Sequence, residues 1–101
     1  MNTEKKLHFF KEGVRNDIGK SGVLKTIIEA FNKYVGNAIL CKEGSSLVWN
    51  ILVTGNPEYA EGSHVVEGLL KALKVYMNDG HTCYLICGAL ANAIMADSKY
   101  T

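Results

Sequence analysis

Between Cys83 and Ala96 the chain has almost no polar side chains, and Asn92 is the clear exception. A helix that is apolar on every side has to be buried on every side. The 14 residues of this segment are too few to span a bilayer, which takes about 20. The segment therefore predicts an enclosed element of a water-soluble protein.

A chain of 101 residues cannot easily enclose such an element by itself. Domains of this size bury only about 60–68% of the surface that their unfolded chains expose. A second copy can supply the missing cover, so we expect a homo-oligomer, most simply a twofold dimer. The alternative is a monomer with this segment as its core. The residues expected at the interface are Leu85, Gly88, Leu90, Ala91 and Ile94.

The composition excludes several broad classes of protein. With 48% hydrophobic and 21% charged residues, the chain is expected to be a globular protein with one domain over 1–101. Its net charge of +1 provides no strong field, which disfavours a nucleic-acid partner or a membrane surface. The N-terminal residues lack the apolar core of a secretory signal, and three cysteines do not suggest a disulfide framework. We therefore expect a cytoplasmic protein.

Three helices are predicted over 4–18, 22–35 and 60–77, where apolar residues recur at spacings of three and four. The helix over 22–35 has the clearest pattern. Ser21 can cap its start, one stripe of the helix is apolar, and Gly36 can end it.

Residues 38–54 predict a β-hairpin, because a turn-forming segment around Gly44 separates two apolar stretches. The segment 81–87 allows two interpretations: it is a buried third strand followed by a helix over 89–98, or Thr82 caps one helix that runs to Asp97. We therefore expect an α+β fold, a small single domain in which amphipathic helices pack on a short antiparallel sheet. The hairpin over 38–54 forms this sheet, and 81–87 is a possible third strand.

The predicted order of helix, hairpin, helix and strand over residues 23–87 resembles the opening of Roadblock/longin-type domains. The resemblance concerns topology only and includes no diagnostic motif. Because those domains are small dimeric scaffolds, the resemblance also implies a dimer.

The second half of the chain also resembles the first when the sequence is shifted by 42 residues. A duplicated helix–strand unit would produce this match, and so would two unrelated amphipathic helices that share a period. The identical pairs include Ser21 and Ser63, Val23 and Val65, Ala30 and Ala72, Tyr34 and Tyr76, and Cys41 and Cys83.

Gly19, Lys20 and Ser21 precede a predicted helix, as the last residues of a phosphate-binding loop do. Val14 stands where that loop requires a glycine, and no strand precedes it, so a nucleotide loop is excluded. The remaining hypothesis is a simpler anion site. In such a site, backbone amides at Ser21 and the side chains of Arg15 and Lys20 would hold a phosphate group.

The cysteines and histidines allow two further hypotheses. Cys83 and Cys87, with His81 nearby, could be metal ligands, but a tetrahedral zinc ion would also need Cys41 or His64. A cysteine nucleophile would need a histidine and an orienting carboxylate, and no such set is evident. Free cysteines are usually core residues. We therefore expect no metal, no cofactor and no catalytic residue.

Together these observations predict a non-catalytic, homo-oligomeric interaction protein that acts by binding another protein. Adaptors, inhibitors and immunity-type accessory proteins belong to this class, and the lysine-rich composition is compatible with a phage or mobile-element origin. The alternative is a protein that binds a nucleotide or another small anion near Arg15 and Lys20. A cysteine or metal enzyme is the third hypothesis.

Overall fold

A computed structural model describes residues 11–54 and 56–97, and within these ranges all regular structure is helical. The expected α+β fold is therefore wrong, because the described residues contain no strand. The helices are α1 (Glu12–Lys20), α2 (Val23–Lys33), α3 (Ala38–Ile51), α4 (Pro57–Ala60), α5 (Val65–Tyr76) and α6 (Gly80–Ala96).

The β-hairpin expected over 38–54 is replaced by helix α3. Asn37 starts this helix, because its side-chain oxygen accepts a hydrogen bond from the Leu40 amide at 3.0 Å. The buried side chains recur at the helical spacing of three and four residues rather than at the strand spacing of two. The side chains concerned are Cys41, Ser45, Val48, Ile51 and Leu52.

Gly44, which suggested a turn, lies inside α3 and serves close packing. A Cβ atom at this position would come within 2.5 Å of Cε1 of Phe31 on α2. The absence of a side chain therefore lets α2 and α3 approach each other, and this contact offsets the low helix propensity of glycine.

The third strand expected over 81–87 and the separate helix expected over 89–98 are also wrong, because α6 runs through both segments. The Asp79 side chain accepts a hydrogen bond from the Thr82 amide at 3.3 Å, so Asp79, and not Thr82, caps this helix. Without strands, the chain no longer has the topology that resembled Roadblock/longin-type domains.

The other predicted helices are confirmed in type, but their bounds differ from the predicted ones. Helix α2 accounts for 22–35, and α5 accounts for most of 60–77. Residues 57–60 form the separate short helix α4, with Pro57 in its first turn, where proline is tolerated. Helix α1 contains the later part of the helix predicted over 4–18, and the earlier part lies outside the described residues.

The structure shows the same helical hairpin twice, at the 42-residue interval seen in the sequence. The first hairpin is α2–α3 and the second is α5–α6, and their corresponding helices start 42 residues apart. Gly22 and His64, which precede α2 and α5, both adopt the left-handed conformation, with φ of 82° and 55°. Asn37 and Asp79, which precede α3 and α6, both cap their helices through the side chain.

The turns before the two hairpins also have the same hydrogen bonds. Ser21 donates from its amide and its hydroxyl to the Ile18 carbonyl, and Ser63 donates in the same way to the Ala60 carbonyl. A shared apolar period explains similar helices but does not explain matching caps and turns. The structure therefore supports an internal repeat, whose unit is helix–helix rather than helix–strand.

The second hairpin packs beside the first, α5 against α2 and α6 against α3. Gly68 on α5 permits the close approach to α2, because a Cβ atom there would lie 2.6 Å from Cγ2 of Ile28. Helix α1 packs on both α2 and α3. The largest fully buried side chains include Phe31, Leu24, Ile51, Leu52, Leu69 and Ile86.

Candidate functional site

Helix α6 carries a continuous apolar surface that the described helices leave exposed. None of its 17 residues is Lys, Arg, Asp or Glu. One side of the helix is buried, but Tyr84 and Met95 on the other side are 55% and 71% exposed. We call this exposed side the open face, and it consists of Tyr84, Cys87, Ala91, Ile94 and Met95.

Contacts with α3 determine which side of α6 faces outward. The Asn92 side-chain amide donates a hydrogen bond to the Trp49 carbonyl at 3.0 Å. The Trp49 ring lies against Gly88 and near the Tyr84 ring, with 5.5 Å between the ring centroids. Trp49 therefore borders the open face and holds Tyr84 at its edge.

Helix α5 also carries exposed apolar side chains. Gly68 faces α2, and Leu70, two residues later, is about 200° further around the helix. Leu70 therefore lies on the side of α5 away from α2, where it is exposed, and Met77 beyond the end of the helix is exposed as well. The exposed apolar area thus involves both helices of the second hairpin.

The five residues that the sequence predicts at an interface differ in their exposure in the structure. Ala91 and Ile94 lie on the open face, and Gly88 and Leu90 are half-buried at its borders. Leu85 is buried within the chain, at 5% exposure. The sequence prediction missed Tyr84, Cys87 and Met95, whose helical spacing becomes evident only when 80–96 is treated as one helix.

Among the described residues, no hydrogen bond joins a thiol to a histidine side chain. Cys83 and Cys87 lie next to each other on α6, with 4.0 Å between their Sγ atoms, whereas Cys41 is buried in the core. Partial burial raises the pKa of the Cys87 thiol, and its neighbour Cys83 raises this pKa further. Because the thiolate is the reactive form, a raised pKa disfavours nucleophilic chemistry. Within the described ranges, His, Cys, Asp and Glu form no group of three or more suited to a metal ion.

The residues of the predicted anion site are only partly brought together. The Ser21 hydroxyl bonds to the end of α1, and Gly22 takes the capping position of α2. Lys20 lines a cleft of about 250 Å³, but Arg15 does not. The same cleft is lined by Lys25 and by two carboxylates, those of Glu58 and Glu61, which reduce its attraction for an anion. Anion binding here stays a prediction.

A second cleft, of about 430 Å³, lies where α4, the start of α5 and the end of α6 meet. Acidic side chains dominate its lining, which also includes His64. This charge is opposite to that needed for phosphate. The acidic residues of the lining are Glu58, Glu61, Glu67 and Asp97.

Comparison with known proteins assigns no family to the chain. No protein-family model, curated protein or solved structure matches it significantly. Among the described helices, none combines the length and the hydropathy that a membrane crossing requires. The open face is therefore the main structural evidence about function.

Proposed function

We propose that the protein is a non-catalytic interaction protein that associates with a second copy through the open face and acts by binding another protein. Adaptors, inhibitors and immunity-type proteins work in this way. The observation that carries the proposal is the exposure of Tyr84 and Met95 on a helix that lacks Lys, Arg, Asp and Glu. Contiguous exposed apolar surface of this kind commonly marks a protein interface.

The chemistry of the open face favours a second copy as its partner. It offers no charged group that would select a partner of opposite charge, and the interfaces of homodimers are typically apolar. In a twofold dimer the same surface meets itself. The small residues Cys87 and Ala91 lie between Tyr84 and Met95 along the helix, which would let two copies of α6 approach closely.

The experiment that tests self-association is size-exclusion chromatography with light scattering over a range of protein concentrations. We expect a concentration-dependent species of twice the chain mass of 11.1 kDa. A single species of 11.1 kDa at every concentration would contradict the proposal.

A charged residue introduced into the open face tests whether this face is the interface. Ala91→Glu would place two carboxylates in a twofold interface, and we expect the dissociation constant of the dimer to rise by about 100-fold or more. Ile39→Glu is the control, because Ile39 on α3 is at least as exposed as Met95 but lies outside the open face. If both variants weakened the dimer equally, this result would contradict the placement of the interface on the open face.

A further inference from the structure

The exposed side of the second hairpin corresponds to a side of the first hairpin that is buried in the core. Three pairs of residues 42 positions apart show this: Ile28 and Leu70, Ser45 and Cys87, and Leu52 and Ile94. The first member of each pair is 2% exposed or less. The second members are exposed, Leu70 at 42% and Ile94 at 38%. We call Leu70, Cys87 and Ile94 the repeat face.

In the first hairpin, the second hairpin covers this side. Gly68 of α5 lies against Ile28, and Tyr76 of α5 lies beside Cys41. The Tyr76 hydroxyl also donates a hydrogen bond to the Val35 carbonyl at 2.7 Å, next to the start of α3. The residue types at this side of the repeat unit are therefore suited to contact with another helical hairpin.

The repeat face is apolar, unlike the outer face of a terminal repeat. In proteins built from stacked repeats, the terminal units carry a polar outer face, which keeps the stack soluble. Leu70 and Ile94 are instead apolar, and Cys87 occupies the position where the first hairpin has Ser45. A further hairpin packed on this face would bury these side chains, as α5 covers the counterpart Ile28.

We propose that the repeat face binds the repeat face of a second copy, so that two chains form one stack of four hairpins about a twofold axis. This inference rests on the self-association proposed above and adds α5 to the interface. In a head-to-tail stack, the repeat face would bind the side of the first hairpin that faces away from the second hairpin. Helix α1 already packs on α2 and α3 there. A face-to-face dimer needs no rearrangement of α1 and closes on itself.

The test compares two substitutions on α5. Leu70→Glu alters the repeat face, whereas Val75→Glu alters a residue of the same helix that is 51% exposed and whose counterpart is the exposed Lys33. We expect Leu70→Glu to raise the dissociation constant of the dimer by about 30-fold or more, the effect of a dominant interface residue. Val75→Glu should leave the constant within about twofold. Circular dichroism establishes that both variants are folded.

A second measurement needs no substitution. Cys87 is exposed in the single chain and would be covered in the dimer, so its alkylation by a maleimide should slow as the protein concentration rises through the dissociation constant. Peptide mass spectrometry distinguishes Cys87 from Cys83, and the buried Cys41 provides an internal reference.

The outcomes separate this inference from the proposed function. If the protein never associates, both are wrong. If Ala91→Glu abolishes association but Leu70→Glu does not, α5 is not part of the interface and the repeat face is not the contact, while self-association through the open face stands. Alkylation of Cys87 at the same rate in both states would contradict both proposals, because Cys87 belongs to both faces. Loss of association in Leu70→Glu but not in Val75→Glu, together with slowed alkylation, supports the inference.

Discussion

The ring of Trp49 occupies the space that a side chain on Gly88 would need. A Cβ atom built on Gly88 would lie 2.1 Å from Cζ3 of that ring. The hydrogen bond from Asn92 to the Trp49 carbonyl supports the same contact one turn further along α6. This contact orients α6, and it therefore determines which side chains of the helix face outward.

We predict that Gly88→Ala lowers the free energy of unfolding by about 1–3 kcal/mol, because the added methyl group overpacks against the indole. Urea denaturation followed by circular dichroism measures the change. Gly13→Ala is the matched control: Gly13 lies inside α1, and a Cβ atom there would meet nothing within 4 Å. The control should raise stability by about 0.5–1 kcal/mol through helix propensity. Similar effects of the two substitutions would contradict the packing of Trp49 on Gly88.

Tyr76→Phe should lower the free energy of unfolding by about 0.5–1.5 kcal/mol, since it removes the hydroxyl that bonds to the Val35 carbonyl. Tyr34 is the repeat counterpart of Tyr76 and is exposed, so Tyr34→Phe should change stability by less than about 0.5 kcal/mol. Thermal and urea denaturation of both variants provide the comparison. Equal losses would mean that the Tyr76 hydroxyl is not specially bonded.

The left-handed turns before α2 and α5 give opposite predictions at matched positions. Gly22 adopts its positive φ without strain, so Gly22→Ala should cost about 1–2 kcal/mol of stability. His64 holds a similar conformation with a side chain present, so His64→Gly should raise stability by about 0.5–1 kcal/mol. Chemical denaturation measures both. A loss of stability in His64→Gly would show that the histidine makes compensating contacts.

Stability should decrease at alkaline pH because of Cys41. Burial raises the pKa of this thiol above its ordinary value of 9.0, while the unfolded chain titrates near that value. The stabilising contribution is therefore fully present below pH 9.0 and is lost as the pH rises toward the folded-state pKa. Urea midpoints between neutral pH and pH 10 should fall, and Cys41→Ala should reduce the part of the fall above pH 9.0. An unchanged pH profile in the variant would contradict this role.

Sequence periodicity predicted α2 and α5 because each helix buries one apolar stripe and exposes its charged residues on the other side. It failed for α3, where Leu47, Trp49 and Ile51 alternate as in a strand while the buried helical set includes the polar Ser45. Gly44 strengthened the error, because it was interpreted as a turn residue. In the folded chain Gly44 is instead a point where two helices approach closely, as Gly88 is on α6.

The candidate site was predictable in its general position but not in its detail. The scarcity of polar residues in Cys83–Ala96 directed attention to the segment that forms most of α6. Leu85 and Ile94 are equally apolar, and only the docking of α3 and α5 decides that Leu85 is buried and Ile94 is exposed. Helical period alone cannot supply this information for a helix that is apolar on all sides.

The 42-residue interval between the hairpins implies that this architecture can grow by whole units. If a third hairpin were joined in tandem, its tether would hold it near the second at a millimolar effective concentration, well above that of free chains in most solutions. Such a three-hairpin chain would cover the repeat face of its second hairpin, and it would stay monomeric if the third hairpin carried a polar outer face, as terminal repeats do. The number of units in one polypeptide would then control whether assembly takes place within a molecule or between molecules.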